Sequence, residues 1–447
     1  MATTYLRRNP NGNGNQRKFT FSFWIKKNSK NPASTYSLFD CGTSSNYFHI
    51  YFPDTHTLTV KSRVSNSTAM ELVSTRVFRD SSAWYNIIVA VDSTQGTAAN
   101  RCKIYVNGVQ ETAFNTANYG IQNLDHEIQD AGTYHVIGTN YAVNAAEFFD
   151  GSMSYVAMVD GTQELPGIFG ETDSTTGEWQ IKTSITPSVA WGYNGFLILK
   201  NGNSLTDEST NSNNFTLGGG TLTNTEDCPS NVFATWNSLI GYTDTLTNGN
   251  TTVTRATASF RSAFSSLPLP STGKFYCEFK RGSGNLVYLG IADDKEGGCV
   301  DLQNRGQESQ VGANANSVSY LASDGRSTIN NTADTSYGAS FSSSNVIGMA
   351  VDMTNMKLYF SKDGVFQNSG DPTSGATGTG ALSIPATSGK YFVAAGFNAS
   401  GVDVNFGNGT FGTTVVSSAG TAGSTPGVFE YDVPTGYEPL TTKGLNV

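Results

Sequence analysis

Charge, proline and helical periodicity are all scarce in this chain, and each shortage removes a class of protein. Only 14% of its 447 residues are charged and acids outnumber bases to a net −9. That disfavours nucleic acid as the main partner, because phosphate binding needs a clustered positive field. No stretch repeats apolar residues at helical spacing, and the apolar runs are only strand-length, so neither a helical core nor membrane insertion is expected. Nothing resembles a signal peptide, so the chain reads as made in a cytoplasm. The five cysteines (Cys41, Cys102, Cys228, Cys277, Cys299) are odd in number, scattered and without CxxC spacing. They read as buried thiols made in a reducing compartment, and zinc is disfavoured. The histidines (His49, His56, His126, His135) are dispersed, and no GxSxG elbow, Walker loop or dinucleotide fingerprint is present.

What is abundant is turn and strand material. There are 48 glycines against 13 prolines, Asn, Thr and Ser are frequent, and aromatic residues reach 11%. Many short strands joined by tight turns fit this, with enough apolar area for proper cores. One pattern occurs twice. Trp84 to Gln110 reads WYNIIVAVDSTQGTAANRCKIYVNGVQ, and Asn345 to Gln367 reads NVIGMAVDMTNMKLYFSKDGVFQ. In each, an apolar run closes on Ala-Val-Asp (Asp92, Asp352), followed by Thr94 or Thr354. Then come Lys, aliphatic, Tyr and apolar residues, and a turn at Asn107-Gly108 or Asp363-Gly364. The first strand is apolar for too long to have a wet face. The second alternates, so one of its faces should be wet. Asn-Gly and Asp-Gly supply the positive φ of a primed hairpin turn. Two distant copies imply two related β-domains in series.

Along the chain, residues 1–18 include NPNGNGNQR and read as an arm. Residues 1–30 carry Arg7, Arg8, Arg17, Lys18, Lys26, Lys27 and Lys30 with no acid. Such a run is either a solvated edge or an electrostatic dock on an acidic partner, with Arg7, Arg8, Arg17 and Lys18 as docking residues. Phe19 to Lys27, FTFSFWIKK, alternates as a half-buried strand with Phe19, Phe21, Phe23 and Ile25 on one face. Residues 201–250 are Asn/Thr/Gly-rich and read as a linker, part of which returns to the first domain.

FTFSFWIK, WYNIIVAVD with KIYVNG, and FDGSMSYVAMVDG (residues 149–161) together resemble the laminin-G-like, concanavalin A-like jelly roll. From 251 to 412 the chain resembles the SPRY domain, another sandwich of this kind. Gly273-Lys274-Phe275-Tyr276 with Glu278, Tyr288 to Ile291, the second hairpin, and Asn405-Phe406-Gly407 with Phe411 carry that resemblance. Cys277 stands where that family often has Trp. The expected architecture is all-β: two concanavalin A-like antiparallel sandwiches joined by an Asn/Thr/Gly-rich linker. Its divisions are an arm (1–18), a laminin-G-like domain (19–200), a linker (201–250), a SPRY-like domain (251–412) and a tail (413–447). The arrangement, with FGETDSTTGEW (169–179) and NVFATWN (231–237), resembles virion proteins of tailed bacteriophages.

Sandwiches of this superfamily include glycoside hydrolases, which set their acids on alternate residues of one strand. Glu171, Asp173 and Glu178 come nearest, but a Ser-Thr-Thr-Gly turn separates the last, so a solvated loop is the reading. Asp293, Asp294 and Glu296 read as a solvated acidic turn. Many laminin-G-like domains bind calcium at one rim, and the resemblance makes Asp92 and Asn107 candidate ligands. The recurrence at Asp352 favours turn capping instead. Sandwiches recognise partners through end loops, which points to Tyr320, Asp324, Arg326 and Tyr337 as ligand-binding residues. The resemblance implies a non-enzymatic fibre or appendage subunit of the virion, homo-oligomeric, meeting other virion proteins and a host-surface glycan or protein. A head decoration protein is the alternative, and a polysaccharide depolymerase a distant third.

Overall fold

The computed structural model describes residues 3–28, 35–128, 132–140, 146–185, 189–239, 245–284, 286–295, 311–332, 334–421 and 427–443. Lys30, Cys299 and Glu296 lie outside these. Among the described residues the only helices are single 3-10 turns such as Ala98–Asn100 and Pro166–Ile168, and none is long and apolar enough to cross a membrane. Contacts divide the chain into two compact units, Met1–Asn224 and Thr225–Val447. Each is a β-sandwich built on two larger, mainly antiparallel sheets.

In the first unit one sheet runs in the order Phe114–Asn118, Ser67–Val77, Thr57–Val64, Tyr47–Phe52, Tyr36–Gly42, His135–Ile137, Tyr5–Arg8, Thr216–Gly219. The other runs Phe196–Ile198, Gly151–Asp160, Lys18–Lys27, Trp84–Asp92, Cys102–Val106, Val109–Gln110. Phe19, Phe21, Phe23 and Ile25 point between the sheets onto Phe39, Phe48 and Ile50, all fully buried. Burying each such phenylalanine contributes about 2 kcal/mol. The strand was expected to be wet on its other face, yet Thr20, Ser22, Trp24 and Lys26 there are also buried. The cause is a second, smaller core outside that sheet, where Phe169, Ile185 and Trp191 from a later segment cover Ile88, Ala90, Tyr105 and Ala157.

The second unit repeats the plan. One sheet runs Thr245–Thr247, Thr252–Thr254, Gly401–Asn405, Lys274–Arg281, Ile347–Asp352, Lys357–Lys362, Val365–Phe366. The other runs Phe260–Phe264, Tyr391–Asn398, Val287–Asp293, Ser317–Leu321, Arg326–Ile329, Thr335–Ser336. Cys277, in place of the expected Trp, is buried between them with Trp236 and Phe279. The hairpin's second strand was again expected to have a wet face, but Tyr359 is buried under Phe429, Val433 and Tyr437 of the C-terminal segment.

Three expected boundaries change accordingly. The arm contains a strand: Leu6 pairs with Ile137 on one side and Leu217 on the other. The linker is divided between the units, because it has its own apolar anchors. Phe215 packs into the first core, while Ala234 and Trp236 pack into the second. The tail adds a parallel strand, Glu438–Pro439, beside Phe275 and Tyr276.

Candidate functional site

The site begins with the short strand Tyr5–Arg8. Its alternation puts Leu6 in the first core, and Arg8 leaves on the same face two residues on, at the rim. Arg8 is 6% exposed, lies 5.8 Å from the Phe196 ring centroid and donates from Nη2 to Asn194 Oδ1 at 3.0 Å. Arg7 leaves on the opposite face, and its guanidinium lies 5.1 Å from the Tyr134 ring centroid. Both line one cleft of about 300 Å³, with Asn9, Asn11, Tyr134, Ser212, Asn213, Asn214 and Thr216. Among the described residues no acidic side chain lines it.

The far wall is held by a carboxylate that bonds backbone. Asp207 accepts from the amides of Leu197 (2.8 Å), Ser209 (2.8 Å) and Asn213 (2.7 Å). Asn213 in turn donates to the carbonyls of Tyr193 and Gly195. This polar stretch reads as a flexible linker because its order comes from side-chain-to-backbone bonds, which have no hydrophobic period. Burial lowers the Arg8 pKa to about 10, although Asp207 and Asp160 oppose that shift.

The other candidates separate. Arg17 makes a two-bond fork on Asp125 (2.5 and 3.0 Å), and Lys18 pairs with Asp92 at 3.5 Å, so neither joins Arg7 and Arg8 in an open docking patch. Lys27 is 1% exposed and donates to the Phe78 carbonyl at 3.1 Å, and burial lowers its pKa to about 8. Asp92 and Asn107 stand at opposite ends of the same hairpin, about 20 Å apart at the usual rise per residue, so they are not co-ligands of one calcium ion. Asp92 accepts from Thr94 N and Oγ1 and from Gln95 Nε2. Burial pushes its carboxyl up, but these bonds and Lys18 outweigh that and leave it below its ordinary value. Asn107 Oδ1 accepts from the Asn86 amide at 2.8 Å. Among the described residues no three His, Cys, Asp or Glu side chains cluster as metal ligands.

The loop candidates of the second unit also divide. Tyr320 and Tyr337 are core residues packed with Phe341 and Phe360. The Tyr320 hydroxyl bonds the Ala339 carbonyl, and the Tyr337 hydroxyl accepts from the Phe360 amide at 3.1 Å. Asp324 and Arg326 remain near the surface, paired with each other at 2.6 Å. Tyrosine's apolar ring lets it fill a core as well as anchor a ligand, so residue type alone misled. Asp173 caps the turn amides of Thr175 and Thr176, while Glu171 and Glu178 are exposed on the hairpin Gly170–Thr172 with Trp179–Ile181. Asp293 is a fully buried strut bonded by Asn316 and Thr387, and Asp294 accepts from the Lys390 amide. The sequence signal that could have found the cleft is the adjacent Arg7-Arg8 pair on an alternating tetrapeptide.

A family model described as the concanavalin A-like lectin/glucanases superfamily matches residues 2–164. It therefore covers most of the first sandwich and stops short of the segment carrying Asp207 and Asn213. No curated protein matches the chain. Many solved structures are similar to parts of it, among them the following three. A human SPRY domain shares 18% identity, covering 34% of this chain and 89% of that one, with a TM-score of 0.26. The SPRY domain of human HERC1 shares 13%, covering 38% and 96%, at 0.29. A candidate carbohydrate-binding protein from Bacteroides ovatus shares 16%, covering 50% and 58%, at 0.34. At such values these likenesses carry no argument.

Proposed function

We propose that this chain is a non-enzymatic carbohydrate-recognition protein, displayed on a tailed-phage particle as a fibre or appendage subunit. The observation that carries the recognition part is the polar cleft at the end of Tyr5–Arg8, on a sandwich whose matching family model is described by lectins and glucanases. Exposed Asn9 and Asn11 amides and the Ser212 and Thr216 hydroxyls offer donors and acceptors of the kind sugar hydroxyls need. The non-enzymatic part is supported by the carboxylates themselves: Asp173 and Asp293 hold turns, and Glu171 and Glu178 are exposed. The virion part is supported by the sequence resemblance of both domains and their order. Many copies on one particle multiply weak contacts into useful avidity.

Binding of purified protein to intact host cells and to a glycan array tests the reading. Binding of cells and of at least one glycan, without release of reducing ends, is expected. Sustained sugar release overturns the non-enzymatic part. Absence of binding, with the protein imaged across the capsid lattice, overturns host recognition in favour of head decoration.

A further inference from the structure

The Arg7–Arg8 cleft contains a buried guanidinium whose donors its own protein leaves partly unused. Arg8 is almost wholly buried, its Nη2 donates to the neutral amide oxygen of Asn194, and its Nε has no acceptor among the described residues. The two carboxylates near enough to influence it are engaged elsewhere. Asp207 accepts from three backbone amides and from the Ser209 hydroxyl. Asp160 accepts from the amides of Asn15 and Asn194. Among the described residues neither Arg7 nor Arg8 forms an ion pair with a carboxylate. A buried guanidinium with a donor left unbonded is unfavourable, and an entering anion that accepts from it relieves that cost.

We propose that this cleft binds an acidic sugar, its ring carboxylate held by the guanidinium of Arg8, with Arg7 adding positive charge at the rim. This rests on the carbohydrate-recognition reading and narrows it to a ligand class. The guanidinium fork matches a carboxylate with two parallel hydrogen bonds, which a neutral hydroxyl does not offer. The neutral lining of Asn9, Asn11, Ser212 and Thr216 leaves the sugar hydroxyls to amides and hydroxyls, with no carboxylate to repel the ligand. The volume, about 300 Å³, is at the small end of ligand pockets and suits a chain terminus or a single ring rather than a long polymer. Four of the nine lining residues, Ser212, Asn213, Asn214 and Thr216, lie beyond the stretch that the family model matches, so the cleft is a feature of this chain rather than of that model.

Calorimetric titration of the full chain with oligogalacturonate, its methyl ester, neutral galacto-oligosaccharide and a sulfated galactan separates the outcomes. Oligogalacturonate is expected to bind, and its ester about ten- to hundredfold more weakly, the worth of a charge-assisted bond. Arg8→Lys keeps the charge but removes the fork, and is expected to weaken oligogalacturonate to a similar degree. Asn11→Asp places a carboxylate on the exposed side of the cleft and is expected to weaken binding of the acid to a similar degree while leaving the melting temperature unchanged. That variant keeps the test valid if Arg8→Lys folds poorly. Preference for the sulfated galactan over oligogalacturonate replaces carboxylate by sulfate and overturns the ligand class. Equal binding of neutral and acidic sugars, insensitive to both variants, overturns the inference and leaves carbohydrate recognition standing. Binding of no saccharide overturns both.

Discussion

Both units close their long buried strand on an aspartate that a lysine meets across the ladder. Asp92 lies 3.5 Å from Lys18 and Asp352 lies 3.3 Å from Lys274. Both then make a hairpin whose first turn residue, Asn107 or Asp363, accepts from the start of the first strand at 2.8 Å. Both cover that hairpin with an aromatic side chain from far along the chain: a Cβ on Gly108 would meet Trp179, and one on Gly364 would meet Tyr431. A requirement of the fold recurs where the fold recurs, so Asp92 and Asn107 are explained as turn residues. What differs is the titrating chemistry inside. All four histidines belong to the first unit. The second buries Glu278, which accepts from the Glu430 and Tyr431 amides (2.8 and 2.9 Å) and so ties the C-terminal cover to the sheet.

The largest expected effects test whether each unit depends on its own core. Phe21→Ala and Phe279→Ala should each cost about 3–5 kcal/mol, as large-to-small core changes do. Hydrogen exchange followed by mass spectrometry should place each loss in the unit that carries the substitution. Loss spread equally over both would break the comparison.

Next come opposite responses to pH. Burial lowers the pKa of His49 to about 3, of His126 to about 4 and of His135 well below its ordinary value. A histidine depressed in the folded state binds fewer protons there than when unfolded, so the first unit should lose stability as pH falls from about 6.5 towards 4. Burial raises Glu278 to about 7 against the pull of its hydrogen bonds. Here the folded state holds the extra proton, so the second unit should lose stability as pH rises from about 4.5 to 7, by about 3 kcal/mol. Glu278→Gln should flatten that slope in the second unit alone. Trp236, the one tryptophan of the second unit, reports it by fluorescence. Slopes of the same sign would show that the buried groups do not set the pH response.

Smaller still are the turn glycines. Gly108 and Gly364 have φ of 77° and 80°, and alanine there should destabilise each unit by about 1–2 kcal/mol through backbone strain and the aromatic clash. Trp179→Ala should recover the clash part in the first unit and leave the strain. Thermal melting of the double variant checks this. The smallest effect is expected at Asp324→Asn, whose exposed pairing with Arg326 should change neither melting nor glycan binding measurably.

The hairpins, the Phe19 to Ile25 face and the all-β class were legible because strand alternation and Asn-Gly turns are local signals. The cleft was legible only in part. Arg7 and Arg8 stood out as a charge run, but Ser212, Asn213 and Thr216 are two hundred residues away and looked like linker. Tyr320 and Tyr337 resembled recognition residues because a buried tyrosine and a binding tyrosine read alike.

Local pattern was therefore enough to specify strands, turns and two repeated sandwiches, since neighbouring residues decide backbone direction and which side chains share a face. Which faces stay wet, which lysines are hidden and where the cleft opens depended on segments distant in the chain. Burial is a property of what arrives from elsewhere, and a strand's own residues do not encode the arrival of Trp179, Tyr431 or Asn213.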